Sequence, residues 1–200
     1  VASGNDACIA AAEFIGGTVE NFVVLMNERA QAMGLSNSQF VDPHGLSDAN
    51  KTSARDIANL ARVYIRDHPK SLVYHSMKAF TFVPAGGAPI TQSNRNKLLG
   101  TYDGADGLKT GHTEAAGYNL VATAERAGTR FIAVALGVQA RTEPLGEELR
   151  AREVAKLLDY GYGNFQTRVL AAKGEHMGDI RVFKGREDSV KIGRASCRVR

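Results

Sequence analysis

Lys109, Thr110 and Gly111 follow one another inside the stretch 106–113, which reads Asp-Gly-Leu-Lys-Thr-Gly-His-Thr. The lysine supplies a cation, and the threonine places a hydroxyl beside it. Gly111 has no side chain, so a ligand can approach the backbone closely at this point. The stretch therefore has the groups of a binding or catalytic site, and the rest of the sequence has to show which chemistry it serves.

Two known motifs contain a Lys-Thr pair of this kind. A phosphate-binding loop needs a glycine directly before the lysine and a helix after it, but Leu108 precedes Lys109 here. An apolar hairpin pattern follows instead, over 118–125 and 131–137, so the triplet is expected on or beside a sheet. The second motif is the Lys-Thr-Gly of serine penicillin-recognising enzymes, which occurs together with Ser-x-x-Lys and a further serine motif. The triplet alone is too short to decide.

The composition is that of a soluble globular protein of one domain, or of one domain and part of another. Hydrophobic residues make up 44% of the 200 residues and charged residues 23%. The net charge of +4 comes from scattered residues, which gives little support to a nucleic-acid partner. The two cysteines, Cys8 and Cys197, form no disulfide framework, and the five histidines are isolated from one another. We predict no metal site and no cofactor.

Helical patterns dominate the part of the chain before the lysine. They cover 8–15, closed by Gly16 and Gly17, then 19–33, and then 53–66 with Ser53 as the N-terminal cap. Between the last two, Asp-Pro-His-Gly at 42–45 predicts a turn in which His44 has a structural role. A short strand is predicted over 79–83, and the polar stretch 93–99 is expected to be a solvated surface turn.

A last helix is predicted over 145–160, after a hairpin turn at 126–130. Its predicted apolar face consists of Leu145, Leu149, Val154, Leu157 and Leu158. Beyond residue 165 the sequence has short apolar segments, glycines and many charges, so we predict the start of a β-rich domain over 166–190. Residues 191–200 show no periodicity and are interpreted as a translated sequencing adapter, in which case Cys197 has no biological meaning.

Ser3-Gly4-Asn5 matches the second serine motif, Ser-x-Asn, and stands just over a hundred residues before Lys109. Ser3, Asn5 or Asp6 also suits a simple capping role at the start of the first helix. Longer strings favour the catalytic motif: Ser-Gly-Asn-Asp-Ala at 3–7, Asn-Arg-Asn at 94–96, the stretch 106–113 and the helix 150–158. Together they resemble the low-molecular-mass D-alanyl-D-alanine carboxypeptidases of the penicillin-binding protein 5 and 6 type, over roughly residues 1–165.

The resemblance implies an α+β fold of the β-lactamase and transpeptidase kind, with an antiparallel sheet and flanking helices. It also implies a serine-type carboxypeptidase that removes the terminal D-alanine from peptidoglycan stem peptides through an acyl-enzyme. The D-Ala-D-Ala terminus would be the binding partner, and β-lactams would be inhibitors. The protein would act in the bacterial periplasm, peripheral to the outer face of the cytoplasmic membrane, with membrane contact only through a C-terminal anchor.

The same resemblance assigns roles to individual residues. Ser3, Asn5 and Lys109 would be catalytic, with Ser3 returning a proton to the departing D-alanine. Lys109, Thr110, Gly111, His112 and Arg150 would bind the substrate. Within this group the carboxylate would be held by Lys109, Thr110 and Arg150, since a guanidinium suits bidentate recognition. The backbone N–H of His112 would be one oxyanion donor, and the role of its side chain is left open between shaping the pocket and packing beside it.

The first motif of the family, Ser-x-x-Lys, does not occur in these 200 residues. We therefore expect the chain, which begins at Val1, to be the C-terminal part of the catalytic domain and to be inactive by itself. A D,D-endopeptidase of the same fold and a non-catalytic peptidoglycan-binding or scaffold homologue remain alternatives. A class A β-lactamase is disfavoured, because the glutamates between the two motifs, Glu13, Glu20 and Glu28, all lie on predicted helices.

Overall fold

The computed structural model of the chain describes residues 1–167, 171–172 and 174–193. Two compact units are present, Val1–Phe165 and Gln166–Arg200. The site motifs all belong to the first unit. The boundary between the two units falls at residue 165, where the sequence predicts a domain boundary. The identity of the units as a peptidase domain and a β-rich domain stays a prediction.

Two helices open the first unit, α1 over Asn5–Gly16 and α2 over Val19–Ala32. The alternative capping role of Ser3, Asn5 or Asp6 is not seen, because the N-cap of α1 is Gly4, without a side-chain hydrogen bond. The apolar face of α1 is largely uncovered within this chain, since only Ala12 is buried and Phe14 is 91% exposed. Across the described residues no single helix is long and apolar enough to span a membrane; α1 and α2 together reach that length and composition, but with a bend of 83°.

Helix α3 covers Ala54–Asp67 and confirms the third predicted helix. The Ser53 side chain caps it by accepting a hydrogen bond from the backbone N–H of Asp56 at 3.1 Å. A single 3-10 turn over Pro69–Ser71 and the short helix α4 over Leu72–His75 follow. Proline at the start of that turn cannot continue α3, and it redirects the chain toward the sheet.

Five strands follow in the first unit and form two antiparallel sheets. β1 (Ala79–Phe82) pairs with β2 (Ile90–Ser93), a strand that the sequence did not predict. β3 (Ala105–Thr113), β4 (Gly117–Arg126) and β5 (Thr129–Val138) form a three-stranded sheet in that order. The predicted hairpin is confirmed with a tighter turn, because Ala127 and Gly128 both have positive φ, as two-residue hairpin turns require.

Helix α5 covers Glu143–Asn164 and packs on β4 and β5. The predicted apolar face is only partly correct: Val154 and Leu158 are buried, whereas Leu145 and Leu157 are 41% and 49% exposed. The helix buries small residues and Arg150 instead. A Cβ atom on Gly146 would lie 2.3 Å from the Tyr118 ring, so only glycine allows the helix to approach the sheet here. The core between them contains Leu98, Leu120, Ala122, Ala124, Ala133, Ala151, Val154 and Leu158.

Residues 93–99 do not form the solvated surface turn expected from their polarity. Asn96 is 4% exposed and Leu98 is 5% exposed, with Leu98 in the core against α5. The Asn96 side chain is buried because both ends of its amide bind backbone groups: Nδ2 donates to the Gly107 carbonyl and Oδ1 accepts from the Leu98 N–H. The polar side chains here supply hydrogen bonds to backbone groups that a helix or strand would otherwise provide.

In the second unit, β6 (His176–Arg181) pairs with β7 (Ser189–Gly193) in antiparallel fashion. Residues 191–193 belong to β7, so the expectation that 191–200 lacks strand structure is wrong for these three residues. Residues 194–200, including Cys197, lie outside the described part of the chain, and their interpretation as an adapter stays a prediction. In the described ranges no three His, Cys, Asp or Glu side chains lie close enough together to hold a metal ion.

Candidate active site

A cavity of about 290 Å³ in the first unit gathers the residues singled out from the sequence. Six parts of the chain line it: the N-terminal residues, the turn at 44–46, Arg95, strand β3, Tyr118 on β4 and the start of α5. The lining includes Ser3, Asn5, Arg95, Lys109, Thr110, Gly111, His112, Tyr118 and Arg150. All seven predicted site residues therefore come together, although their sequence positions run from 3 to 150.

Ser3 and Lys109 are in direct contact across this cavity. The Lys109 Nζ atom donates a hydrogen bond to the Ser3 Oγ atom at 2.9 Å. Ser3 lies just before α1 with a φ of 53°, a region that residues other than glycine seldom adopt. Such a conformation costs free energy and is concentrated at functional sites. The hydroxyl that could have capped a helix is instead directed at the lysine, while Asn5, the first residue of α1, lines the same cavity.

The environment of Lys109 lowers the pKa of its ammonium group. Desolvation by the surrounding protein is the largest cause; Cys8 opposes it, and the positive charges of Arg150 and Arg95 add to it. Lys109 is exposed at the mouth of the cavity, so water screens part of this effect. An anion bound between these cations would be attracted by all three.

Arg150 is 2% exposed and lies beneath β3. Its Nη1 atom donates to the Gly111 carbonyl at 3.3 Å and its Nη2 atom to the Arg95 carbonyl at 3.2 Å. Glu147 lies 3.7 Å from the same guanidinium, and Nε is buried without a hydrogen-bond partner. Burial lowers the pKa of Arg150. The arginine thus joins two walls of the cavity and brings a poorly compensated positive charge to it.

Strand β3 presents Gly111 and His112 to the cavity from the edge of its sheet. A Cβ atom added to Gly111 would meet no heavy atom closer than 3.9 Å, so the protein leaves this position open. The His112 ring stacks on Tyr118, its partner on β4, with ring centroids 3.9 Å apart. The His112 side chain therefore both lines the cavity and packs. Its backbone N–H as an oxyanion donor stays a prediction, as do the roles assigned to the other site residues.

Two side chains fix the backbone directly before Lys109. Asn96 Nδ2 donates to the Gly107 carbonyl at 3.0 Å, and His75 Nδ1 lies 3.0 Å from the Leu108 carbonyl. The other ring nitrogen of His75 lies 2.9 Å from the Tyr64 hydroxyl. A carbonyl oxygen can only accept, so Nδ1 donates to Leu108. Helices α3 and α4 thereby hold the edge strand that carries the lysine.

We expect Asn96→Ala to lower the free energy of unfolding by about 2–4 kcal/mol, because a buried carbonyl and a buried N–H each lose their partner. Urea denaturation of the chain measures the change. Asn164→Ala is the matched control, since its amide donates at an exposed position to the Tyr160 carbonyl. A loss of less than about 0.5 kcal/mol for Asn96→Ala would mean that water replaces both hydrogen bonds.

The cavity residues that the sequence reasoning missed include Arg95, the turn residues 44–46, Tyr118, Glu143 and Glu147. Arg95 stands inside the Asn-Arg-Asn string used for the resemblance, yet only the string and not the arginine was given a role. His44, Gly45 and Leu46 line the cavity as well, although the turn around His44 was interpreted as structural. The abundance of turn-forming residues at 42–45 concealed a functional surface, because the same residue types suit both.

Comparison with known proteins agrees with these motifs. The sequence profile of the D-alanyl-D-alanine carboxypeptidases matches residues 1–140. The chain belongs to this family. A D-alanyl-D-alanine carboxypeptidase, DacA, from Haemophilus influenzae is 44% identical over 196 residues, which is 96% of this chain and 47% of that protein. The chain thus spans about half the length of the curated relatives it matches, and the predicted family membership is confirmed.

Solved structures of penicillin-binding proteins share the fold of this carboxypeptidase-family chain. Penicillin binding protein 5 from Haemophilus influenzae matches with a TM-score of 0.83 at 43% identity, over 96% of this chain and 53% of that one. Penicillin-Binding Protein D2 from Listeria monocytogenes, solved in its cefotaxime-bound form, matches with a TM-score of 0.63 at 32% identity, over 77% and 62% of the two chains. The predicted α+β fold of the β-lactamase and transpeptidase kind is confirmed.

Proposed function

We propose that this chain supplies two of the three active-site motifs of a serine-type D-alanyl-D-alanine carboxypeptidase. The enzyme would remove the terminal D-alanine from peptidoglycan stem peptides, and β-lactams would inhibit it. The observation that supports this most directly is the 2.9 Å contact between Lys109 and Ser3 in a cavity that also contains Arg150. A cation, a relay hydroxyl and a buried guanidinium in one cavity suit the cleavage of a peptide that ends in a carboxylate.

The nucleophile in this proposal is the serine of a Ser-x-x-Lys motif, in a part of the protein that the printed sequence does not contain. Its hydroxyl proton would pass to the lysine of the same motif, and its oxygen would bond to the carbonyl carbon of the penultimate D-alanine while the bond from that carbon to the terminal nitrogen breaks. The leaving amine needs a proton to depart as D-alanine. Water would then hydrolyse the ester and release the shortened peptide with the free serine.

Ser3 would pass on that proton. Since Lys109 donates its hydrogen to Ser3 Oγ, the hydrogen of the Ser3 hydroxyl is free to be donated to another acceptor. A hydroxyl that accepts one proton while it gives another can serve the departing amine of D-alanine. Asn5, at the start of α1, would hold the peptide carbonyl next to this relay through its amide donor.

The terminal carboxylate would bind among the cations of the cavity. Lys109 and Thr110 offer an ammonium and a hydroxyl, and Arg150 adds a buried charge. The open position at Gly111 would allow the peptide backbone to lie along β3, an edge strand of its sheet. A β-lactam would enter as a mimic of the dipeptide and acylate the same serine. The periplasm, on the outer face of the cytoplasmic membrane, is the location we propose for this reaction.

Labelling with a fluorescent penicillin tests the proposal. The protein expressed from the whole gene is expected to form a covalent adduct that blocks hydrolysis of a D-Ala-D-Ala pentapeptide, because a single serine reacts with both. The 200-residue chain is expected to remain unlabelled under the same conditions, since it contains no Ser-x-x-Lys. An unlabelled whole-gene product would favour a non-catalytic peptidoglycan-binding role, and a labelled 200-residue chain would refute the assignment of the nucleophile.

A further inference from the structure

The turn at residues 42–50 is organised around one carboxylate. Asp42 Oδ1 accepts hydrogen bonds from the backbone N–H groups of His44, at 3.0 Å, and Gly45. Asp42 Oδ2 accepts from the backbone N–H of Ser47 at 2.7 Å and from the Asn50 side-chain amide at 2.9 Å. Four donors from one short loop thus converge on a single side chain.

The base of this loop is fixed to the body of the first unit. Gln39 and Lys51 pair across it as an isolated antiparallel bridge. The Asn27 side chain, on α2, accepts from the Phe40 N–H at 2.8 Å and donates to the Phe40 carbonyl at 2.7 Å. The Asn50 Oδ1 atom accepts from the Val41 N–H at 2.8 Å and closes the loop from its other end. Because the base is held independently, the shape of the tip depends on Asp42.

A carboxylate is the side chain that satisfies all of these donors. It is an acceptor at both oxygens when ionised, whereas an amide would direct an NH₂ group at two of the donors. Burial alone would raise the pKa of Asp42, but the hydrogen bonds, that from Gly45 foremost, outweigh it and lower the pKa. The group therefore stays ionised at neutral pH. Charge-assisted hydrogen bonds of this kind are stronger than those between neutral groups.

The residues that Asp42 holds are residues of the active-site cavity. His44, Gly45 and Leu46 line it together with Ser3 and Lys109. The His44 ring lies beside the same carboxylate, with Nδ1 3.3 Å from Asp42 Oδ1, and this Nδ1 accepts a hydrogen bond from the Leu46 backbone N–H at 3.3 Å. Gly45 has a φ of 83°, so the chain turns there in a conformation that favours glycine and brings its neighbours to the cavity.

We infer that Asp42 is a positioning residue of the peptide-binding cleft: its carboxylate holds His44, Gly45 and Leu46 as a fixed wall against which the stem peptide binds. Asp42 itself touches no reacting group. The inference rests on the proposed carboxypeptidase function and adds to it a determinant of peptide affinity outside the three motifs. Its signature is an effect on peptide binding that exceeds the effect on the chemical step.

Three variants test this: Asp42→Ala, Asp42→Asn and, as the matched control, Asp48→Ala. Asp48 lies on the same loop and is exposed, and in the described chain its carboxylate takes part in no hydrogen bond to the loop. In the 200-residue chain, Asp42→Ala is expected to speed amide hydrogen exchange at Gly45 and Ser47 by about tenfold or more, since both N–H groups lose a charged acceptor. Asp48→Ala should leave these rates unchanged.

Steady-state kinetics of the whole-gene protein on a D-Ala-D-Ala pentapeptide gives the second measurement. Asp42→Ala is expected to raise KM about tenfold and to leave kcat within about threefold, because a loosened wall weakens binding. Asp42→Asn keeps one acceptor oxygen, so its KM should lie between the KM of the wild type and that of Asp42→Ala. An unchanged KM in Asp42→Ala, or a fall in its kcat alone, would overturn the inference. The proposed function would still stand in that case, because it depends on the activity of the wild type. Absence of wild-type activity would refute that function and the inference with it.

Discussion

The whole-gene enzyme with Lys109→Ala is expected to be acylated by a fluorescent penicillin at least about a hundredfold more slowly than the wild type, the loss seen when one preorganised donor is removed from an active site. The variant loses the hydrogen bond from Nζ to Ser3 Oγ at 2.9 Å, and with it the orientation of the relay hydroxyl. It also loses the cation that is proposed to face the substrate carboxylate. Stopped-flow or gel-based measurement of the second-order acylation rate reports both effects.

Lys97→Ala is the control for Lys109→Ala. Lys97 also carries a positive charge close to α5, but its ammonium is exposed and pairs with Glu147 at 3.1 Å. Because the Lys97 side chain is 57% exposed and solvent screens its charge, its removal should cost no more than about 1 kcal/mol, which is a change of about fivefold at most in the acylation rate. Similar small effects of both substitutions would mean that Lys109 is merely a surface residue of the strand.

The pH dependence of acylation gives a second measurement on the same lysine. Donation to Ser3 and attraction of a carboxylate both require the ammonium form, and the pKa of Lys109 is lowered from its ordinary value of 10.5 by desolvation and then by the nearby arginines. Acylation should therefore fall as pH rises through that lowered pKa. In Lys109→Arg this alkaline loss should vanish, because arginine stays protonated. An unchanged alkaline limb in that variant would assign the titration to another group.

Local sequence patterns were sufficient to predict two strands of the sheet that carries the site. The apolar segments on either side of 126–130 predicted β4 and β5, since a paired hairpin needs only short-range information. Ser3 shows where such information ends. A hydroxyl just before a helix suits both a cap and a relay; the structure shows no side-chain cap there and a contact with Lys109, which follows Ser3 by 106 residues, while the relay role stays a prediction.

Helix α5 shows a different limit of sequence reasoning. The helical spacing of apolar residues predicts Leu145 and Leu157 in the core, yet the buried face includes Gly146 and Arg150. The close approach to Tyr118 selects a glycine, and the carbonyls beneath β3 select an arginine. Neither requirement is visible along the helix itself. Arg95 and His44 escaped notice for the same reason, because they reach the cavity from separate loops.

Arg150→Met is expected to lower hydrolysis of a D-Ala-D-Ala peptide about a hundredfold, while the free energy of unfolding changes by no more than about 2 kcal/mol. Methionine leaves the carbonyls of Gly111 and Arg95 without their donors, which costs stability. It also removes a guanidinium whose Nε has no partner and whose pKa burial lowers, so the cost of desolvating the charge disappears. The two contributions to stability oppose each other, whereas the loss of positive charge from the cavity is not offset.

Arg152→Met is the matched control, because Arg152 lies two residues further along α5 with its side chain exposed near Glu153. Its removal should change neither peptide hydrolysis nor stability by more than about 0.5 kcal/mol. Urea denaturation and steady-state hydrolysis of the two variants, measured side by side, separate folding from function. If the loss of activity in Arg150→Met is explained by the fraction of the variant that is unfolded, the role of this arginine is structural only.

A peptide with an amidated C-terminus decides what the charge of Arg150 does. If the guanidinium attracts the terminal carboxylate, the wild type should prefer the free acid strongly and Arg150→Met should lose most of that preference, since only the acid carries the charge that arginine attracts. Arg150→Lys should recover part of the preference for the free acid. It should not restore both hydrogen bonds to the carbonyls of Gly111 and Arg95, because an ammonium lacks the planar arrangement of donors of a guanidinium. Equal preference in wild type and Arg150→Met would place carboxylate recognition on Lys109 and Thr110 alone, with Arg150 acting through the position of Gly111.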